Sequence, residues 1–341
     1  GFMRLKWTAV FPRRTGSCSR MRPLLFLNSP MRFALLGTIS SKSSKKGEDF
    51  FNLFVKPGPR LTLFLFFLGI ILTDSFCSAS NFSKVDWKDL TDQNLTETGR
   101  TALRVYGEAW LHAETEHFVY HFHDAKEAET ILVHAEVYYQ WIKQMFGITE
   151  DPEKNKSHVF IFDDKDLWRS FSQNTMEKLP GAEAFTNGRE LFIYRMPFWL
   201  EPQRVLAHEI THLVMFRFVK GRIPLFLNEA FAEFMATKAI AMKADGNDFN
   251  VRTFKLIPET EFIPLDELSD FKNYPSEKIE IFYRQCEFLA RFLILNYKPE
   301  KFYSLLKLTA NGTPFMDAIE ELYGIDPETF AQKFKTYAMT R

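Results

Sequence analysis

His208 and His212 stand four residues apart with Glu209 beside the first, in the run His208-Glu209-Ile210-Thr211-His212. On a helix, two histidines at that spacing project from one face a turn apart, so their imidazoles could hold one zinc ion at about 2.0–2.1 Å. A carboxylate at position 209 borders that face, where it could take a proton from water at the metal and pass it to a leaving amine. The run lies between Pro202 and the pair Gly221 and Pro224, residues that suit the start and end of a helix. The plainer alternative is an amphipathic core helix with incidental histidines, because Val205, Leu206, Ile210, Leu213, Val214 and Phe216 are apolar.

After the Gly221–Pro224 turn comes Leu227-Asn228-Glu229-Ala230-Phe231-Ala232-Glu233, which reads as a second helix antiparallel to the first. This segment is similar to the LNEG-x-AE segment of gluzincin metallopeptidases, notably the peptidase MA-like group and, more distantly, the aminopeptidase N and thermolysin families. The resemblance implies that Glu229 is the third metal ligand, in a His208, His212, Glu229 set around one zinc ion. Such a set leaves a fourth position open for water or substrate, as a catalytic zinc requires. Glu233, one turn beyond Glu229, could accept the free ring N–H of a metal-bound histidine and fix its tautomer; an exposed helix carboxylate is the alternative. Ala230 departs from the glycine usual after the ligand glutamate. The helix opened by Phe282-Tyr283-Arg284-Gln285 resembles the tyrosine-bearing helix of these families, which makes Tyr283 the candidate oxyanion donor; plain packing of its ring is the alternative. Gly181 and Ala182 fall where gluzincins carry a substrate-binding edge strand. The stretch only faintly resembles the aminopeptidase GAMEN motif, with Ala184 where that motif has its amine-binding glutamate, which leans against a strict aminopeptidase. Arg189 and Tyr194 read as parts of a solvated hairpin, with lining of the cleft as the alternative.

The implied activity is zinc-dependent hydrolysis of a peptide or protein substrate. Two other readings remain open: a non-catalytic zinc-binding or scaffold protein of the same fold, and a zinc hydrolase acting on a non-peptide amide. His112, His117, His121, His123, His134 and His158 show no ligand spacing and are expected in surface or core roles. No Gly-rich phosphate loop and no G-x-S-x-G elbow is present.

Elements that could position these residues are legible in the hydrophobic periodicity. Alternation predicts a strand over 116–123, and helical spacing predicts a helix over 125–146, with Gly147 as its cap. Further strands are expected at 158–162 and in a hairpin of 182–185 with 190–194. Helices follow at 203–219, 227–243, 277–296, 299–309, 314–323 and 327–338. Strands first and helices afterwards indicate an α+β fold: a small N-terminal mixed sheet with helices, then a mainly helical part, as in a zincin-like domain. The domain is expected over 106–338, preceded by a polar lead-in at 81–105.

The net charge of zero conceals an asymmetry, for residues 1–80 hold 12 of the 43 Lys and Arg but only Glu48, Asp49 and Asp74 among the 43 acids. The acidic remainder argues against a nucleic-acid partner, which needs a basic face. Cys18 and Cys77 lie in that basic leader, which leaves Cys286 alone in the body and excludes a disulfide framework or a cysteine-based zinc site. Within the leader, the apolar run 61–72 follows Lys56 and Arg60 and enters small residues at 77–80. That is the order of a secretory signal, too short for a spanning helix of roughly 20 residues. Cleavage near Ala79 or Ser80 and export to a periplasmic or extracellular space are expected. Left uncleaved, 61–72 would associate the chain with a membrane, and an organelle transit peptide is the alternative for residues 1–60.

Overall fold

The computed structural model describes residues 83–151, 154–175, 183–194, 202–245, 255–273 and 275–340. The leader and the Gly181 and Ala182 positions lie outside these. Among the described residues no helix is long and apolar enough to cross a membrane.

The architecture is α+β, with a six-stranded mixed sheet and ten α-helices among the described residues. The strands are β1 (Lys84–Val85), β2 (Leu111–Glu114), β3 (Phe118–Phe122), β4 (Ser157–Phe162), β5 (Ala184–Thr186) and β6 (Glu190–Tyr194), in the order β1-β2-β3-β4-β6-β5. β3, β4 and β6 run parallel at the centre, while β1, β2 and β5 attach antiparallel outside them. β3 and β4 are buried at every residue, which is why Phe-Val-Tyr-His-Phe and His-Val-Phe-Ile-Phe read as near-continuous apolar runs.

Helices cover both faces of the sheet. Ala113, Tyr120, Val159, Leu191 and Ile193 point to one face, against α2 (Ala125–Met145), α4 (Pro202–Phe218) and the later helices. Phe160, Phe162, Phe185 and Phe192 point to the other, against α1 (Glu97–Tyr106) and α3 (Lys165–Thr175). α1 falls inside the polar 81–105 segment, where no sustained helical period is visible. It buries little beyond Gly99 and Ala102, and its position depends on a polar contact instead. The buried Glu190 carboxylate on β6 accepts from the Thr96 backbone N–H and hydroxyl at the helix N-cap. Gly99 lies so close to Glu190 that an added Cβ would come within 2.3 Å of its Oε1.

Beyond the sheet follow α5 (Leu225–Asp245), α6 (Leu265–Asp270), α7 (Ile279–Asn296), α8 (Pro299–Ala310), α9 (Phe315–Tyr323) and α10 (Pro327–Thr340). α4 and α5 form an antiparallel hairpin, and α7 packs along α5. The buried Gln285 side chain joins α7 to the preceding chain by accepting from the Ile263 N–H and donating to its carbonyl.

The turn of the α4–α5 hairpin depends on Gly221. Its φ of +104° is left-handed, and a Cβ there would meet the Ala310 carbonyl oxygen at 2.5 Å, the same oxygen that accepts from Arg222 N–H at 3.1 Å. Both strain and overlap are with backbone, so Gly221→Ala is expected to cost about 1–3 kcal/mol. The shift in the urea midpoint measures it, and an unchanged midpoint would contradict this account of the turn.

Candidate metal centre

α4 lies between α5 and the sheet, which it meets at β5 and β6, with α2 alongside. Its face toward α5 carries Arg204, His208 and His212 at intervals of one turn, and α5 presents Glu229 and Glu233 in return. His208, Glu209, His212, Glu229 and Glu233 are all at most 3% exposed.

The donor atoms converge. His208 Nε2 and His212 Nε2 are 3.0 Å apart, His208 Nε2 is 3.4 Å from Glu229 Oε2, and His212 Nε2 is 3.7 Å from Glu229 Oε1. Bonds of about 2.0–2.1 Å at a tetrahedral angle would put donor atoms about 3.3 Å apart. The three separations bracket that value, so this trio fits a small divalent ion. On the far side of the first imidazole, His208 Nδ1 is 3.1 Å from Glu233 Oε1. The other oxygen of Glu233 accepts from the Arg204 guanidinium.

The electrostatics favour positive charge at this spot. Burial alone would lower the His208 pKa, but the Glu229 and Glu233 carboxylates overcome it and push the imidazole up to about 10. His212 moves the other way, to about 4, because burial outweighs the pull of Glu229 and the His208 charge adds to the lowering. The two carboxylates therefore favour positive charge in the pocket, which His208 carries as a proton and which a divalent ion could carry in its place.

Glu209 is placed differently from the ligands. Both its carboxylate oxygens are buried without a hydrogen-bond partner among the described residues. Burial pushes its pKa up to about 7; the His208 charge opposes the rise, and Glu229 and Glu233 add to it. A buried carboxylate with open lone pairs beside three convergent donors can accept a proton from a molecule held there.

Tyr283, on α7, lies close enough for these charges to act on it. Burial, and then Glu229, Glu233 and Glu209, raise its pKa far above the ordinary phenol value, so it stays a hydrogen donor. Cys286, one turn further on, is buried and free of disulfide, with its thiol pushed up by burial and the same carboxylates; it serves as core. β5 borders α4 at the edge of the sheet. Ala184 faces the core on the α4 side, while Phe185 faces the opposite core. The Tyr194 ring lies against Trp168 on that opposite face, and Arg189 is exposed at the hairpin turn. A groove of about 730 Å³ lined by Asn296, Tyr297, Lys333 and Tyr337 contains none of the residues of the centre.

Two neighbours were not singled out in the sequence. Arg204 holds Glu233, and Asn228 lies within hydrogen-bonding reach of His212. Arg204 had a visible signal, since it precedes His208 by the same four residues that separate the two histidines.

The remaining histidines are not all scattered. His112, His121 and His158 come from three neighbouring strands and form a buried row, with Nδ1 to Nδ1 and Nε2 to Nδ1 separations of 2.9 Å each. Trp87 flanks the row, and His158 Nε2 ends it 3.9 Å from Asp92. Because His121 uses its two nitrogens in opposite directions, the row does not converge on one ion. Burial depresses all three pKa values: His158 to about 4 although Asp92 and Glu114 pull it back, His121 well below normal with help from its two neighbours, and His112 with Asp86 opposing. In the unfolded chain these groups titrate near 6.5. Between about pH 6.5 and 4 the unfolded chain thus binds protons that the native state excludes, so this contribution to stability is complete above that window and is lost as pH falls through it. His121→Phe is expected to flatten the slope by about 1.4 kcal/mol per pH unit. Urea midpoints at pH 7 and pH 5 check this, and an equal slope in both chains would exclude His121 as a source.

Compared with known proteins, the sequence matches no family model and no curated protein.

Proposed function

We propose that this chain is a zinc-dependent peptidase of the gluzincin type. The observation that carries the reading is the convergence of His208, His212 and Glu229 at mutual distances of 3.0–3.7 Å beside the Glu209 carboxylate, whose oxygens have no hydrogen-bond partner among the described residues. A set of two imidazoles and one carboxylate suits zinc and leaves a position open. When bound, zinc supplies Lewis acidity that activates water and polarises a carbonyl.

The chain's own residues do the rest. Glu209 takes the proton of the attacking water on its free oxygen and returns it to the leaving amine, which frees the product without leaving charge on the nitrogen. Tyr283 donates a hydrogen bond to the carbonyl oxygen as negative charge develops on it, a bond that strengthens toward the transition state. The outer edge of β5 offers backbone groups to an extended peptide, so main-chain pairing would align the substrate along the site. The substrate is a peptide or protein, met after export if the leader is a secretory signal.

The test is elemental analysis of the purified protein together with cleavage of a mixed peptide library. One zinc per chain is expected, with cleavage that a chelator abolishes and added zinc restores. Bound zinc without cleavage of any peptide would replace the enzyme with a zinc-binding scaffold, and cleavage indifferent to the chelator would overturn the metal mechanism.

A further inference from the structure

We infer that Arg204 is a positioning residue of the metal centre, acting on His208 through Glu233. The inference rests on the metal reading above and adds a residue that the HExxH and NE-x-x-x-E patterns do not contain.

The geometry is a ladder between two antiparallel helices. Arg204, His208 and His212 follow one another at one-turn intervals on α4, and Glu233 and Glu229 descend α5 in the opposite sense. The first rung joins the Arg204 guanidinium to Glu233 Oε2. Glu233 Oε1 then stands 3.1 Å from His208 Nδ1, and His208 Nε2 faces Glu229 and His212. Each oxygen of the Glu233 carboxylate thus has a different task, one fixed by the guanidinium and one directed at the imidazole.

This division matters for the tautomer of His208. With Oε2 tied to Arg204, Oε1 is left 3.1 Å from Nδ1; neither of these two buried atoms has another hydrogen-bond partner among the described residues, and a small turn of the ring would align them. When an ion displaces the proton on Nε2, the remaining ring proton is then held on Nδ1, facing Glu233. Arg204 suits the task because its guanidinium stays charged and holds a carboxylate in a fixed direction. Its side chain is 20% exposed while Glu233 is 3% exposed, so it reaches from the rim of the site to an acid that water scarcely touches. Glu287, paired with Arg291 at 3.0 Å on α7, lies within electrostatic reach of both Arg204 and Glu233.

A purely structural salt bridge between α4 and α5 would affect stability alone. A positioning role must also change metal affinity, so the measurement is the zinc dissociation constant from competition with a chelating dye. Arg204→Met keeps the length of the stem and is expected to weaken zinc binding about 10–100-fold. Arg204→Lys, which restores a charged donor, should recover much of that loss. The His208 Nδ1–H proton in the zinc-loaded protein provides a second readout: a downfield, hydrogen-bonded resonance in wild type that moves upfield in Arg204→Met. Should the Met variant not fold, Arg204→Gln gives the same comparison. Zinc affinity within threefold of wild type in a folded Met or Gln variant would overturn the role of Arg204 while leaving the metal centre intact. A wild-type chain that binds no zinc would overturn the metal reading and this inference together.

Discussion

Glu209→Gln is expected to keep zinc at the wild-type stoichiometry and to lower kcat by about 10²–10⁴-fold, the range that a general acid–base group supplies. The substitution preserves shape in a pocket where Glu209 is 1% exposed, and it removes the only property that the proposed mechanism uses, the ability to gain and lose a proton. Neither oxygen of Glu209 has a hydrogen-bond partner among the described residues, so no supporting contact is expected to break. KM should change little, because the carboxylate is used in the chemical step rather than in holding the substrate. Single-turnover cleavage alongside zinc analysis separates the two effects. An active Glu209→Gln enzyme would refute the assignment of the base.

His208→Ala should have the second large effect, and on two measurable quantities. It removes one of three donors, so zinc is lost and cleavage with it. It also removes the positive partner that Glu229 and Glu233 share, at 3.4 and 3.1 Å. Breaking a buried pair by deleting one side typically costs about 3–5 kcal/mol because the remaining charge stays buried. Glu229→Ala provides the contrast: it also loses zinc, yet it deletes one of the crowded acids instead of their partner, so the metal-free protein should lose much less stability. Urea denaturation of both variants with chelator present makes the comparison at equal metal content. Equal losses in the two would show that the buried charges do not interact as the distances imply.

The sequence disclosed the parts of this molecule that repeat a strong local pattern. The central strands are visible because parallel strands buried on both faces are apolar throughout, as in the Ser157–Phe162 strand. The long helices are visible because their buried positions recur over several turns. α1 and α3 are amphipathic but short and mostly polar, each burying only a few residues such as Ala102, or Trp168 and Phe171, so their helical period lasts too few turns to stand out from the polar segments around it. β2, with four residues, is too short to alternate detectably. At the centre, the histidine spacing and the following Asn-Glu were legible because all of it lies on two successive helices. Which faces of those helices meet is a matter of packing, and the Arg204–Glu233 contact depends on that. The row of His112, His121 and His158 left no trace in one dimension, since its members lie on separate strands and only the pairing register brings them together.

The Gly221 turn places all three donors, the Glu209 base and the Arg204 anchor within one helical hairpin of consecutive chain. Contacts between residues near in sequence need little loop closure and form early in folding. The phenol of Tyr283 comes from α7, much later in the chain, and reaches the site only when that helix docks. On the proposed mechanism, an incompletely folded molecule could therefore capture a metal ion before it could stabilise a developing oxyanion, and hydrolytic competence would be acquired last.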